Sequence, residues 1–448
     1  MVRTIIKALS AGLGAIALAH GLTSEVLAQS AKDPQEIVFR RAVLKTAKPG
    51  VLVLKAWPGA EPEARSWSGG LPRMPADLAW PAGAKTGRPM SFLTQIDLSE
   101  LPPAARTQGL PAKGVLWFFV ALNDSIDDAD QVSVLYRPEP GEWPERAAPP
   151  GLEPMLSYAP YTLVAPDDPL AVVAVRQALS FRPIDTYATG TDDLPELEDW
   201  DHVDEWLFAI ERAAQVRALG EREAQPLLDR YHWKTLGSPD WPQAGLFAEM
   251  AARAALDALP PTTPYSAAGP QWTDEGRALR NVLATEAAAR TALWKTRRFE
   301  PLTAEERQDF QAWLRGFITR ASGLTPDKTS GYRAPTRFDV TYPIEKTPMF
   351  AAYHVLARGG PAVESLPAAM RRPRVWSPGA APSDQIVGHG QSAQDGPYVN
   401  RHNVLLLQIG GDDDASWLGD GMMLHFWITP ADLAARRFDR VFPTYEGD

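Results

Sequence analysis

The chain has 448 residues, a net charge of −10 and no cysteine. Missing thiols exclude disulfides, thiol catalysis, iron–sulfur clusters and thiolate zinc sites. The acidic balance disfavours nucleic acid, because the basic pairs Arg297–Arg298, Arg371–Arg372 and Arg436–Arg437 are too short and scattered to form a stripe.

The first 28 residues read as an export leader. Arg3 and Lys7 form a basic start, Ala8 to Ala19 is a short apolar run, and Val26-Leu27-Ala28 offers a cleavage site before Gln29. The run is too short to span a bilayer comfortably. No cysteine follows it to carry a lipid, and no twin arginine precedes it. Cleavage removes Arg3, Lys7 and Glu25 and takes the net charge to −11. No later segment is apolar enough to cross a membrane. These features predict a soluble periplasmic or extracellular protein.

Residues 36–195 read mainly as strands. A helix or extended entry leads to Val51–Leu54, and a loop rich in proline and glycine spans Gly69–Pro89. Phe92–Ile96 and Val115–Val120 are predicted strands, joined by a long connection. Val132–Tyr136, Tyr161–Val164 and Leu170–Ser180 continue the pattern in Val, Leu and Tyr.

Residues 196–322 change to helical spacing. Trp200, Val203, Trp206, Leu207 and Ile210 form one apolar stripe. Leu246–Leu259 is a helix that stops at Pro260-Pro261. Leu279–Trp294 and Phe310–Ile318 form two more, the last opened by a Thr303/Glu306 capping box. These stripes predict packing faces.

Residues 323–348 read as turns, Pro348–Arg358 as a short apolar helix, and 359–383 as an exposed linker. Strands return after residue 384. A short helix at Pro430–Arg436 and a tail end the chain.

The two ends match. Gly69-Gly70-Leu71-Pro72 precedes Phe92–Ile96, and Gly114 opens Leu116–Phe119. Val387-Gly388-His389-Gly390 precedes Leu405–Ile409, and Gly421 opens Met423–Trp427. The first strand ends in Gln-Ile in both, and acidic residues follow: Asp97 and Glu100 in one, Asp412, Asp413 and Asp414 in the other. Glycines at such places supply positive φ or close backbone approach. The pattern predicts a duplication, each copy giving a strand pair to a shared or paired sheet.

These motifs carry a likeness. SWSGGLPRMPADLAWP, PMSFLTQIDLSELP and KGVLWFFV resemble the N-terminal half of the YwqG-like family, a domain of unknown function. IVGHGQSAQ, VLLLQIGGDDD, GDGMMLHFWI and DLAARRFDRV resemble its C-terminal half. The likeness covers about residues 45–150 and 384–445. It implies an α+β fold, internally duplicated, with mostly antiparallel sheets and a helical insertion at 196–322. The two halves would then be 36–195 and 323–448. Residues 232–243, HWKTLGSPDWPQ, echo a Gly-Pro-Gln loop of the family, as do Gly388–Gln394. The family implies no activity.

Chemistry-bearing patterns are sparse. No Gly-x-Ser-x-Gly elbow occurs, and Gly388 to Ser392 has the wrong spacing for one. No phosphate-loop fingerprint occurs either. Asp412 and Asp414 open like a calcium loop, but Trp417 stands where glycine is needed and Met423 where the final Glu belongs. Asp124, Asp127, Asp128 and Asp130 follow a strand, and an exposed loop is their default reading. His389, His402, His425 and Asp420 could ligate a metal without thiols. Gln95 and Gln408 end the first strand of each copy and need partners if buried.

No cofactor is indicated. The leading expectation is a non-catalytic module that binds a protein or small molecule in a cleft between the copies. Gly69, Gly70, Gln95, Gly388, His389 and Gln408 would line it. A metal-assisted hydrolase built on the His/Asp set is the alternative.

Overall fold

The computed structural model describes residues 34–56, 58–59, 63–121, 131–153, 155, 173–188, 203–219, 244–259, 272–325, 335–366, 384–391, 396–410 and 423–446. The leader, Tyr161–Val164, Trp200, the acidic runs 124–130 and 412–414, Asp420, and residues 232–243 lie outside them.

The chain enters through helix α1 (Pro34–Lys45) and strand β1 (Lys48–Lys55). Then come β2 (Trp67–Ser68), β3 (Ser91–Asp97), β4 (Val115–Val120), β5 (Val132–Arg137) and β6 (Gln177–Thr186). Helices follow: α2 (Val203–Leu219), α3 (Gly245–Asp257), α4 (Asp274–Lys295), α5 (Ala304–Ala321), α6 (Arg337–Arg358) and α7 (Pro361–Ser365). The chain returns to strands with β7 (Gln385–Ile386), helix α8 (Gly396–Val399), β8 (Val404–Gly410) and β9 (Met423–Ile428). Helix α9 (Pro430–Ala434) and strand β10 (Phe442–Glu446) close it.

Among the described residues the strands form one antiparallel sheet in the order β10-β9-β8-β7-β1-β6-β2-β3-β4-β5. That order is a palindrome. Reading outward from the central β1/β6 pair, β7, β8, β9 and β10 on one side mirror β2, β3, β4 and β5 on the other. The registers agree: Trp67 pairs with Gln95 and Ala178, as Gln385 pairs with Gln408 and Leu52. Both first long strands even break register at the same place, between Phe92 and Thr94 and between Leu405 and Leu407. Carrying these equivalences into the centre puts the pseudo-two-fold axis at the Leu54–Ser180 pair.

Alternation gives the sheet two faces. Phe118 and Phe426, equivalent residues of β4 and β9, meet edge-to-face at 5.1 Å, so the sheet curls until its halves touch across a shared inner core. The neighbours Trp117, Phe119, His425 and Trp427 therefore point to the outer face. Helices α3 to α7 make a separate core of their own around Phe247, Leu283, Phe310, Leu314, Phe317 and Ile344. Helix α2 instead packs on β6 and on α1, through Phe39, Val203, Trp206 and Ile210.

Four elements differ from their sequence reading. The expected exposed linker 359–383 opens with helix α7, which buries Ala362 in the helical core, as the following Leu366 is buried. The strand expected over Leu170–Ser180 runs Gln177–Thr186 and passes through Pro183. Proline survives there because β2 pairs only with Gln177 and Ala178, so Pro183 has a ladder partner on one side alone. The short helix expected at 348–358 begins at Arg337, behind a Thr336/Asp339 capping box, despite prolines at 343 and 348. Pro348 cannot donate to the carbonyl of Ile344, and the Thr347 hydroxyl donates to it instead at 2.9 Å. Burial of Val340, Ile344, Ala351 and Val355 against the helical core stabilises the rest. The expected tail is β10, an edge strand on β9. The Thr303/Glu306 box forms as read, with both of its hydrogen bonds.

Candidate functional site

Each copy holds its glycine loop in the same way, through the glutamine that ends its first long strand. In the first copy, Gln95 Oε1 accepts from the Arg73 backbone N–H at 3.1 Å and from Trp117 Nε1 at 2.8 Å, and its Nε2 donates to the Arg65 carbonyl. Trp117 Nε1 also reaches the Arg73 carbonyl at 3.0 Å. In the second copy, Gln408 Oε1 accepts from the Gln391 N–H at 2.8 Å, and His425 Nε2 donates to the Gln391 carbonyl at 3.0 Å. Gln391 thus stands where Arg73 stands, and His425 where Trp117 stands. The repeated glutamine pins a buried loop, because unpaired backbone groups there would cost about 1–3 kcal/mol each.

Left-handed backbone in the two loops follows the same plan. Gly69 and Gly70 have φ of 69° and 64°; Val387 and Gly388 have 50° and 87°. A Cβ on Gly69 would stand 2.3 Å from the Val175 carbonyl oxygen, so that position admits glycine only. Val387 bears a side chain at the matching place and buries it in the inner core.

The expected common cleft does not form. Gly388 packs on Gly50 and Thr186, whereas Gly69 and Gly70 pack on Val175 and Arg176. Those contacts lie at opposite ends of β6, on the order of 30 Å apart at about 3.3 Å per residue. Gly69, Gly70 and Gln95 therefore form one group, and Gly388, His389 and Gln408 another. A two-fold axis normal to the sheet keeps both on one face while sending them to opposite ends.

The two outer faces have different surroundings. Over the first copy, Trp67, Met74, Met90, Phe92, Trp117 and Phe119 form an apolar layer, with Trp80 and Trp143 packed against it. Arg176 lays its guanidinium 3.9 Å from the Trp67 ring centre. The register places Gly50 where Arg176 stands and Gln385 where Trp67 stands, so the second copy has neither ring nor guanidinium there. Its outer face is polar instead. Trp427 Nε1 donates to Thr444 Oγ1 at 2.8 Å, and the Thr444 hydroxyl faces His425 Nδ1 at 3.3 Å. A carbonyl can only accept, so His425 Nε2 carries the proton and Nδ1 accepts from Thr444. Burial holds His425 below the usual histidine range and keeps it neutral.

Beyond Gln391 lies Glu211 of α2, which accepts from Gln391 Nε2 at 3.1 Å. Burial pushes its carboxyl up to about 7, against a smaller opposing effect of that hydrogen bond.

A small pocket opens beside this network. Its wall includes Lys48, His389, Tyr398, Arg401, Asn403 and Trp427, with the backbone of Gly388 and Gly390. Its volume is about 30 Å³, room for a couple of water molecules and far below an ordinary small-molecule site. Of the expected binding residues, the pocket gathers Gly388 and His389; Gln408 stands behind them through Gln391. Sequence reading passed over Lys48, Tyr398, Arg401 and Glu211. They come from three separated segments, and no spacing rule links them.

The metal set does not assemble among the described residues. No group of three His, Asp or Glu side chains is placed to hold an ion there. Both ring nitrogens of His425 face protein partners, and His389 Nε2 donates to the Thr46 carbonyl at 2.9 Å. His402 is exposed on a turn.

The sequence pattern of a domain of unknown function, DUF1963, matches residues 66–219 and 293–446. The chain belongs to this family. The match falls twice, in accord with the mirrored order of the sheet: the first stretch spans β2–β6 and α2, and the second spans the end of α4, helices α5–α7 and β7–β10. Comparison with curated proteins found no match. Among the described residues no helix is long and apolar enough to cross a membrane.

Proposed function

We propose that this DUF1963 member is a non-catalytic binding module in which the first copy serves as scaffold and the second receives the ligand or partner. The supporting observation is the difference between the outer faces. One is covered by tryptophans and Arg176, and the other carries a polar network and a pocket at Gly388–His389. Polar side chains fixed by one another, next to an open recess, suit recognition better than packing. The narrower likeness to YwqG-like proteins and export of the mature chain belong to this reading. So does a helical insertion. The separate core of α3–α7 supports it, and residues 220–292, between the two matched stretches, are its best-supported part.

The test is a ligand screen read at two tryptophans. Trp427 lines the pocket, and Trp117 is buried at the matching site of the other copy. Their indole N–H signals can be assigned in NMR spectra with W427F and W117F. A small molecule or peptide that shifts Trp427 and leaves Trp117 in place supports the reading. A broad screen that shifts neither signal, or Trp117 alone, refutes it.

A further inference from the structure

Helix α4 turns its charges inward and its apolar surface outward. A helix on the outside of a protein normally shows charged residues to water. Leu283, Ala287 and Trp294 face the helical core, as that pattern requires. The charged residues between 278 and 293 also turn toward the protein. Glu286 pairs with Arg320 of α5 at 2.5 Å, Arg290 pairs with Asp309 of α5 at 2.6 Å, and Arg280 is half-buried. No exposed position from 278 to 293 carries a charge. Val282 and Leu293 instead keep 51% and 52% of their surface in water, and alanines fill most of the remaining positions. The Thr285 hydroxyl donates to the Asn281 carbonyl at 2.9 Å, so it is already satisfied within the helix. Single exposed apolar side chains are ordinary, but a whole uncharged face marks a surface that meets another one.

We infer that this face docks a second molecule of the same chain, α4 against α4 in antiparallel orientation. Ala278, Val282, Thr285, Ala289 and Ala292 recur at alternating steps of four and three, the seam of a two-helix coiled coil. Small residues along it let the two axes approach closely, and Val282 and Leu293 project as the larger contacts. The ends of the helix select the partner and its direction. The first turn holds Asp274 and Glu275 and the last holds Lys295. None of the three has an ion-pair or hydrogen-bond partner among the described residues. A two-fold axis at Thr285, the middle of the seam, brings Asp274 of one molecule level with Lys295 of the other. Parallel pairing would set like charges against each other. A lipid surface fits less well, because interfacial helices flank their apolar face with lysine and arginine, and here Arg290 is engaged by Asp309. From Ala278 to Ala292 the seam is about 21 Å long at about 1.5 Å per residue. That is short of a standard interface of roughly 1,600 Å², so the dimer is reversible, with Kd above about 1 μM. The inference does not depend on the pocket or on its ligand.

The chain has no cysteine, so single introduced cysteines report the geometry without background. Under mild oxidation of the full chain, Thr285→Cys is expected to form an intermolecular disulfide. Ala278→Cys alone is not, because its two copies lie about 21 Å apart, beyond the roughly 7 Å between Cα atoms that a disulfide can span. A mixture of Ala278→Cys and Ala292→Cys should cross-link one to the other. Sedimentation of the unmodified chain should show a monomer–dimer equilibrium, which Val282→Glu weakens about tenfold or more. Asp274→Lys should weaken it too, and adding Lys295→Asp to that variant should restore it to within about threefold. If Val282→Glu fails to fold, Ala289→Glu serves in its place, and sedimentation of the unmodified chain decides in any case. A chain that stays monomeric up to about 1 mM overturns the inference, as does a dimer that the glutamate variants leave intact. Self-cross-linking of Ala278→Cys as readily as Thr285→Cys overturns the antiparallel pairing. A different protein, bound by a chain that is itself monomeric and lost with Val282→Glu, overturns the dimer and gives the face to that partner.

Discussion

The two halves of the sheet share strand order, register, a bulge and a glutamine, and they differ in what lies over their outer faces. The first half buries Trp67 and Trp117 under an aromatic layer and clamps Trp67 with Arg176. The second replaces Trp117 by His425, Trp67 by Gln385 and Arg176 by Gly50, and the same backbone then carries a hydrogen-bonded chain beside a recess. Duplication supplies two equal frameworks. One apolar cover stabilises the curled sheet, and the other half keeps polar groups on its outer face, the difference on which the proposed binding role rests.

The largest expected effect is on the aromatic side. Trp117→Ala removes a fully buried ring and leaves Gln95 and the Arg73 carbonyl short of a donor. It should cost about 3–5 kcal/mol, read as a fall in the denaturation midpoint. A loss below about 1 kcal/mol would mean the aromatic cover is dispensable, and the contrast between the halves would collapse.

Gly69→Ala comes next. The added Cβ meets the Val175 carbonyl and the backbone is left-handed, so destabilisation of about 2–3 kcal/mol is expected. Val387→Ala keeps a Cβ that its site already accommodates and should lose only the trimmed methyls, about 1–2 kcal/mol. Equal losses at the two positions would contradict the backbone equivalence.

The paired glutamines sharpen the functional side. Gln95→Leu and Gln408→Leu should each cost about 1–3 kcal/mol, since each strands a loop N–H. Gln408→Leu alone should also abolish a ligand-dependent shift of Trp427, because it frees the loop that leads into the pocket wall. If both variants spare binding, the Gln391 loop does not shape the site.

The smallest effect is a pH dependence. Burial pushes the Glu211 carboxyl up to about 7 in the folded chain, against 4.5 for an ordinary glutamate, so between these values the native chain holds a proton that the unfolded chain has released. That stabilisation is full below about 4.5 and fades as pH rises toward 7. Glu211→Gln removes the dependence and should gain about 1–2 kcal/mol above pH 7, measured as unfolding midpoints across pH 4.5–8. His425 acts the other way. Its depressed value makes the fold lose stability as pH falls below the ordinary histidine range. An unchanged pH profile in the Glu211 variant would mean the carboxyl is solvated.

Local pattern made much of the fold legible. Val115–Val120 and Phe92–Ile96 are apolar runs bounded by breakers, and both are strands close to those limits. The Thr303/Glu306 box starts its helix because capping is decided within four residues. Prolines misled where a distant partner compensated, as at Pro348 with its Thr347 hydroxyl and at Pro183 with its single neighbour. Of the site, Gly388, His389 and Gln408 were legible as repeats of Gly70, Leu71 and Gln95. Lys48, Arg401 and Glu211 were not, since nothing in a linear spacing joins residues 48, 211 and 401.

By itself the sequence determined that the chain has two related ends, that thiol chemistry is absent, and that Gln95 and Gln408 hold matching posts. These are properties of composition and of short periodic segments. Only the tertiary structure decided that the ends join through the central β1/β6 pair, and that the two-fold axis sends the glycine loops to opposite ends of it. The physical reason is long-range pairing: β1 meets β6 and β7 across more than a hundred residues of chain, and the register of those pairs fixes which side chains share a pocket.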